Sequence, residues 1–145
     1  MVITKKYLVF PVSDFVKVRE IDFYSKDKLL DDIYIKLDYI NPKYNIYYPV
    51  EKYKGLNIDV IIHPDINFRW DQTDEPDYTF VYNCPFRPKL HFTAAFGWLN
   101  DPNGLFEYTS KVTGEKVYNM YFQYNPYGNI WGNIHWGHAV SKDLL

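Results

Sequence analysis

Apolar residues recur at every second position through much of the first eighty residues. In "DIYIKLDYI" Ile33, Ile35, Leu37 and Tyr39 share one parity, and in "LNIDVII" Ile58, Val60 and Ile62 do the same. A period of two is the signature of half-buried strands, so the stretch up to Ile40 is predicted as β rather than helix. Turn-like clusters separate the runs at Ser25-Lys26-Asp27-Lys28, Asn41-Pro42-Lys43, Lys54-Gly55 and His63-Pro64-Asp65. Short strands at this spacing predict a small antiparallel β-domain.

The acidic stretch "DQTDEP", Asp71 to Pro76, interrupts the alternation and reads as a solvated connector. Asp71, Asp74, Glu75 and Asp77 lack the glycine and terminal glutamate of a calcium-binding loop, and no metal is expected there. Two prolines in "NCPFRPK" mark an extended link, which places a domain boundary near Asn83 to Phe86. The predicted domains are 1–83 and 84–145. Beyond Leu90 the strands resume as "GLFEY", "KVYNMYFQY" and "NIHWGHAVS", joined by the plain loop "TSKVTGE" and by "NPYGNIWG", whose aromatic and amide content is costly unless it packs or binds something.

Composition sharpens this picture. Aromatic residues make up 20% of the chain, with 15 Tyr and 4 Trp, a mix that suits pleated, half-buried surfaces. A net charge of −2 gives no electrostatic case for nucleic acid or an anionic membrane, and no apolar stretch approaches the ~20 residues of a membrane span. The apolar run after the N-terminal lysines, Tyr7 to Val12, is too short for a secretory signal. The single Cys84 can form no intrachain disulfide and reads as a structural loop residue.

The candidate chemistry lies in "FGWLNDPNGLFEY". Asp101-Pro102-Asn103-Gly104 is a sound turn sequence by itself, which would make Asp101 a hairpin residue. Yet within about forty residues stand Trp98, Asn100, Asp101, Gln123, Asn125, Trp131, Asn133, Trp136 and His138. Aromatic faces stack on sugar rings, amides match vicinal hydroxyls, and a carboxylate among them is what glycoside chemistry requires. On residue types alone, a carbohydrate site and an aromatic-rich β-core both remain open. His135 and His138 have opposite strand parity and no third ligand, so no metal is expected there either.

"RPKLHFTAAFGWLNDPNG" followed by "YFQYNPYGNIWGNIHWGHAVSKDL" closely resembles the start of the catalytic domain of glycoside hydrolase family 32, which contains invertases, inulinases and levanases. The resemblance covers Phe86 to Leu145. It implies an all-β protein in which a small antiparallel domain precedes the first blade of a five-bladed β-propeller. It further implies that Asp101 is the nucleophile toward a terminal β-fructofuranosyl unit, that Asn100 and Asn103 lie beside the fructose, and that Gln123 and Trp131 bind or wall it. No cofactor is implied, and the expected partner is a β-fructoside. Leu99 stands where the family commonly has methionine. The region from Lys6 to Tyr82 looks more loosely like the accessory β-domain of some bacterial fructanases, on "KYLVFPVSD" and "IYYPVEKYKGLNIDVII". The family's Arg-Asp-Pro and Glu-Cys motifs, the second of which supplies the acid/base, are not among these residues. None of the five glutamates, Glu20, Glu51, Glu75, Glu107 and Glu115, precedes a cysteine. The expectation is therefore a chain that reaches only the first blade and is inactive alone.

Overall fold

A computed structural model describes residues 1–144 as two compact units, Met1–Asp77 and Tyr78–Leu145. The division falls ahead of the Asn83–Phe86 link, because Tyr78 and Phe80 already belong to the second unit's packing. Their rings lie 6.1 Å and 6.3 Å from that of Phe96.

The first unit holds six strands: β1 (Tyr7–Val12), β2 (Arg19–Ser25), β3 (Lys28–Ile35), β4 (Tyr44–Pro49), β5 (Asp59–His63) and β6 (Asp71–Thr73). They form two antiparallel sheets of order β4-β1-β6 and β3-β2-β5. The alternation does what a period of two requires. Leu8, Phe10 and Val12 point inward from β1, Ile21 and Phe23 from β2, Ile33 and Ile35 from β3, and all are buried. The sheets meet face to face through aromatic rings: Phe23 stacks on Tyr48 at 4.3 Å and meets Phe10 edge-on at 6.2 Å. Each such buried side chain contributes roughly 1.5–3 kcal/mol of apolar transfer. Lys26 and Asp27, both with positive φ, form the two-residue turn joining β2 to β3, a backbone that matches the twist of the paired strands.

Two expectations in this unit are corrected. Asp71–Thr73 is no connector but the edge strand β6, paired to β1 in the register Tyr7↔Thr73 to Val9↔Asp71. Its polar side chains hold it there. Gln72 Oε1 accepts from the Thr4 and Lys5 amides at 2.8 Å and 3.2 Å, and Asp74 pairs with Lys5 at 2.7 Å while accepting from the Lys6 amide. Tyr39 leaves the alternation and stands 47% exposed, because β3 ends at Ile35 and the buried Asp38 turns the chain by accepting from the Ile40 and Asn41 amides.

The outer face of β2, β3 and β5 is acidic. Asp22 lies directly across from Asp32, and Glu20 is flanked by Tyr34 and His63. Partial burial, then the charges of Asp31, Asp22 and Glu20, push the Asp32 carboxyl above its ordinary value. His63 Nε2 lies 3.1 Å from Asp22, and the Tyr34 hydroxyl donates to Glu20 at 2.7 Å.

The second unit begins with a single helical turn, Thr79–Tyr82, and then forms one antiparallel meander of β7 (Trp98–Thr109), β8 (Lys116–Asn125) and β9 (His135–Ser141), in that order across the sheet. Gly137 on β9 lies opposite Phe122 on β8, whose ring covers it on the apolar side. Among the described residues no helix is long and apolar enough to cross a membrane.

Candidate functional site

Register divides the meander into two unlike faces, since residues directly opposite in an antiparallel pair share a side. One face carries Leu99, Pro102 and Leu105 from β7, Met120, Phe122 and Tyr124 from β8, and Gly137 and Ala139 from β9. Phe92 packs edge-on against Phe122 there, and an apolar groove of about 550 Å³ runs past Leu90, Phe92, Leu105 and Met120. The other face carries Trp98, Asn103 and Phe106, then Asn119, Tyr121, Gln123 and Asn125, then Trp136 and His138. Trp98, Asn103, Gln123, Asn125, Trp136 and His138 thus share one side of one sheet. Phe106, Tyr121 and His138 form a row of near-parallel rings across the three strands, and Asn119 Oδ1 lies 2.9 Å from His138 Nε2. An open groove of about 460 Å³ lies between Asn103, Gly104, Tyr121 and Trp136.

The Asp-Pro-Asn-Gly stretch does not turn. It runs through the middle of the 12-residue strand β7, whose register shifts twice. Leu99 pairs with Tyr124 and Pro102 with Phe122, so Asn100 and Asp101 together oppose the single Gln123. Asn103 then pairs with Tyr121 and Leu105 with Met120, so Gly104 is a second extra residue. The chemistry of the stretch allows both bulges. Pro102 has no amide to offer, which is tolerable on an edge strand, and Gly104 takes φ +62, a left-handed backbone that a glycine adopts without penalty. Proline, asparagine and glycine signal a turn and a bulged strand equally well.

These bulges set out the candidate residues. Asn100 Nδ2 donates to Gln123 Oε1 at 3.0 Å across the first bulge. Asn103 Nδ2 donates to the Asp101 carbonyl at 3.2 Å, which braces the backbone beside the carboxylate. Asp101 itself is exposed. Trp98 meets Trp131 edge-on at 5.7 Å, although Trp131 belongs to the loop after β8 and is 65% exposed. Asn100, Asp101, Asn103, Gln123 and Trp131 therefore gather at one end of the meander.

Some of the amide-rich candidates have another use. Asn125 is 1% exposed and holds its own loop: its Nδ2 donates to the Ile130 carbonyl at 2.8 Å, and its Oδ1 accepts from the Tyr127 amide at 2.9 Å. His135 is occupied by the Asn133 carbonyl at 2.6 Å and by the ring of Tyr127. The Tyr124 hydroxyl donates to the Phe96 carbonyl, and burial raises its pKa. Cys84 is exposed, not packed.

The other carboxylates of this unit sit elsewhere. Glu107 pairs with Lys116 and Glu115 with Lys142, each at 3.1 Å, and Asp143 accepts from Ser141. The row holding Glu107, Tyr118 and Ser141 is four residues along β8 from the row holding Pro102 and Phe122. At roughly 3.3 Å of rise per residue that is about 13 Å, far beyond the ~5 Å that a retaining pair of carboxyls needs.

Comparison with known proteins points to the same segment. Residues 91–145 match the family described as glycosyl hydrolases family 32 N-terminal domain. A levanase of Bacillus subtilis is 48% identical over 64 residues, 44% of this chain and 9% of that protein. An extracellular exo-inulinase of Aspergillus awamori is 48% identical over 67 residues, 46% of this chain and 11% of that protein. An invertase of Schizosaccharomyces pombe is 53% identical over 64 residues, 44% of this chain and 10% of that protein. The chain thus spans about a tenth of the length of these relatives. A solved glycoside hydrolase family 32 structure from Bifidobacterium adolescentis aligns over 96% of this chain and 24% of its own, with 21% identity and a TM-score of 0.39.

Proposed function

We propose that this chain, whose residues 91–145 match the glycosyl hydrolases family 32 N-terminal domain, supplies the nucleophile-bearing segment of a retaining hydrolase of terminal β-D-fructofuranosides, with Asp101 as the nucleophile. The observation that carries the reading is the first bulge of β7. It sets Asn100 and Asp101 together opposite Gln123, leaves Asp101 exposed, and carries two amide hydrogen bonds, Asn100 to Gln123 and Asn103 to the Asp101 carbonyl, at the end of the sheet where Trp98 meets Trp131. Bulges re-aim side chains, and an exposed carboxylate on a strand that also carries hydroxyl-matching amides suits attack on a sugar.

In this mechanism an Asp101 oxygen attacks the anomeric carbon of the fructosyl unit. The bond to the leaving oxygen breaks as that oxygen takes a proton from an acid, giving a fructosyl ester on Asp101. Water then adds to the anomeric carbon, its proton is removed by the same group, and the ester bond breaks to release fructose and the free carboxylate. No other described carboxyl of the second unit serves as the acid/base, since Glu107, Glu115 and Asp143 lie at the far end of its sheet. Asn100, Asn103, Gln123 and Trp131 hold and wall the fructose. The five-bladed propeller, of which the meander is the first blade, belongs to the same proposal, as does the assignment of the first unit to an accessory role.

The far position of those carboxyls favours a second reading, a sugar-binding protein without catalysis. Asp101→Asn in the complete protein separates the two. Fructose release from sucrose, inulin or levan should fall by more than about a hundredfold, ~3 kcal/mol of barrier, with the thermal midpoint unchanged. Acid quenching of the unaltered protein during turnover should leave a fructosyl adduct on the peptide holding Asp101. A variant that keeps more than about a hundredth of the rate refutes the nucleophile. A complete protein that binds fructosides without releasing fructose establishes the second reading.

A further inference from the structure

We infer that Asn125 is a positioning residue that locks the loop bearing Trp131 onto the Asp101 strand; its consequence for turnover rests on the fructosidase reading. Three observations converge on this one side chain. It is almost wholly buried at the end of β8, directly across from Trp98. Its amide grips the loop on both sides of the bend: Oδ1 accepts from the Tyr127 amide at the loop's start, and Nδ2 donates to the Ile130 carbonyl one residue before Trp131. The Asn133 side chain also reaches Oδ1, its Nδ2 donating at 3.5 Å from the residue where the chain turns with φ +45 toward β9. These partners fix the orientation of the amide, since a backbone N–H can only donate and a carbonyl only accept.

The main chain of Asn125 makes the link to the other side. Its carbonyl lies so close to Gly97, which has φ +80, that a Cβ on Gly97 would stand 2.0 Å from it. Gly97 precedes Trp98, and Trp98 meets Trp131 edge-on. Two residues back on the same face of β8, Gln123 accepts from Asn100 beside Asp101. Asn125 thus joins the exposed Trp131 ring to the strand that presents Asp101, without being placed to touch a sugar in that site. A buried amide with both ends used tolerates no isostere: aspartate keeps the acceptor but sets an anionic oxygen against the Ile130 carbonyl.

The test pairs kinetics with a spectrum of Trp131, both on the complete protein. Near-UV circular dichroism assigns Trp131 by difference from Trp131→Phe. Asn125→Asp should change that Trp131 band and raise KM for sucrose about tenfold, with a smaller effect on kcat. In a Trp131→Ala background the same substitution should change KM less than about twofold, because the ring it positions is gone. Asn125→Ser, which keeps an acceptor near the Tyr127 amide and loses the reach to Ile130, should give the same pattern more weakly and serves if the aspartate variant fails to fold. An unchanged Trp131 band in the folded variants, or an equal KM increase with and without Trp131, would overturn the inference. A complete protein that releases no fructose, yet whose Trp131 band responds to Asn125→Asp, would refute the fructosidase reading and leave the loop lock standing.

Discussion

Gly137→Ala tests whether the second unit is packed as tightly as its register demands. An added Cβ would stand 2.1 Å from Cε2 of Phe122, 2.2 Å from Cζ and 2.7 Å from Cδ2, all inside contact distance. The Phe122 ring has little room to retreat. It is 4% exposed and is walled edge-on by Phe92 at 5.2 Å and by Tyr124 at 5.7 Å. Either the ring leaves its rotamer or β9 lifts from β8, and overpacking of this kind costs about 1–3 kcal/mol. For a unit of this size, that lowers the thermal midpoint by about 5–15 °C. Urea unfolding followed by tryptophan fluorescence reports on the right place, because Trp98, Trp131 and Trp136 all lie in this unit. Phe122→Leu by itself leaves a cavity and should also destabilise, by about 1–2 kcal/mol. Combined with Gly137→Ala, it opens space for the new methyl, so the pair should be more stable than the sum of the single costs by about 1 kcal/mol or more. A wild-type midpoint for Gly137→Ala, or strictly additive costs, would refute the packing described.

Three further outcomes follow from the structure. Asp32 has a raised carboxyl pKa, so its contribution to the first unit is fully present below the ordinary carboxylate value and is lost as pH rises through the raised one. Asp32→Asn should flatten that fall and raise the neutral-pH midpoint by about 2–4 °C, the worth of a screened cross-strand repulsion of ~0.5 kcal/mol; a lowered midpoint would show that Asp32 is held by a favourable contact instead. Removing residues 1–77 from the complete protein should reduce stability or solubility and leave kcat largely intact, whereas a thousandfold loss of kcat at an unchanged midpoint would give the first unit a catalytic part. The 145-residue chain by itself should release no fructose from sucrose, inulin or levan, because Glu107, Glu115 and Asp143 lie at the far end of the sheet from Asp101; release that depends on Asp101 would mean that a carboxyl reaches it after all.

The sequence was most legible where burial alone sets the structure. Ile33, Ile35 and Leu37 kept their shared parity because the sandwich core selects one side of each strand. The loops at Ser110–Glu115 and after Asn125 stood out because polar and glycine residues interrupt aromatic runs. What escaped was structure held by side-chain hydrogen bonds. Nothing apolar marks Asp71–Thr73 as a strand, since Gln72 and Asp74 secure it by reaching the amides of Thr4, Lys5 and Lys6. Asn125 looked like another sugar-facing amide, and only its burial shows that its donor and acceptor are already engaged. The doubled bulge was hidden for a different reason: its residues are those of a turn, and only the partner strand reveals that the chain goes straight on.

The two bulges of β7 carry a consequence for how this stretch can change by insertion and deletion. Each adds one residue, and together they add one full pleat repeat, so Trp98 and Phe106 face the same side although the parity between them is reversed. Losing a single codon from either bulge would leave one residue opposite one, and the flanking pairs Leu99↔Tyr124, Pro102↔Phe122, Asn103↔Tyr121 and Leu105↔Met120 would keep both their partners and their faces. Each bulge can therefore disappear by itself without turning a flanking residue to the wrong side. At the first bulge such a loss either removes Asp101 or sets it back into the regular ladder opposite Gln123, so the sheet would survive a deletion that the candidate site would not.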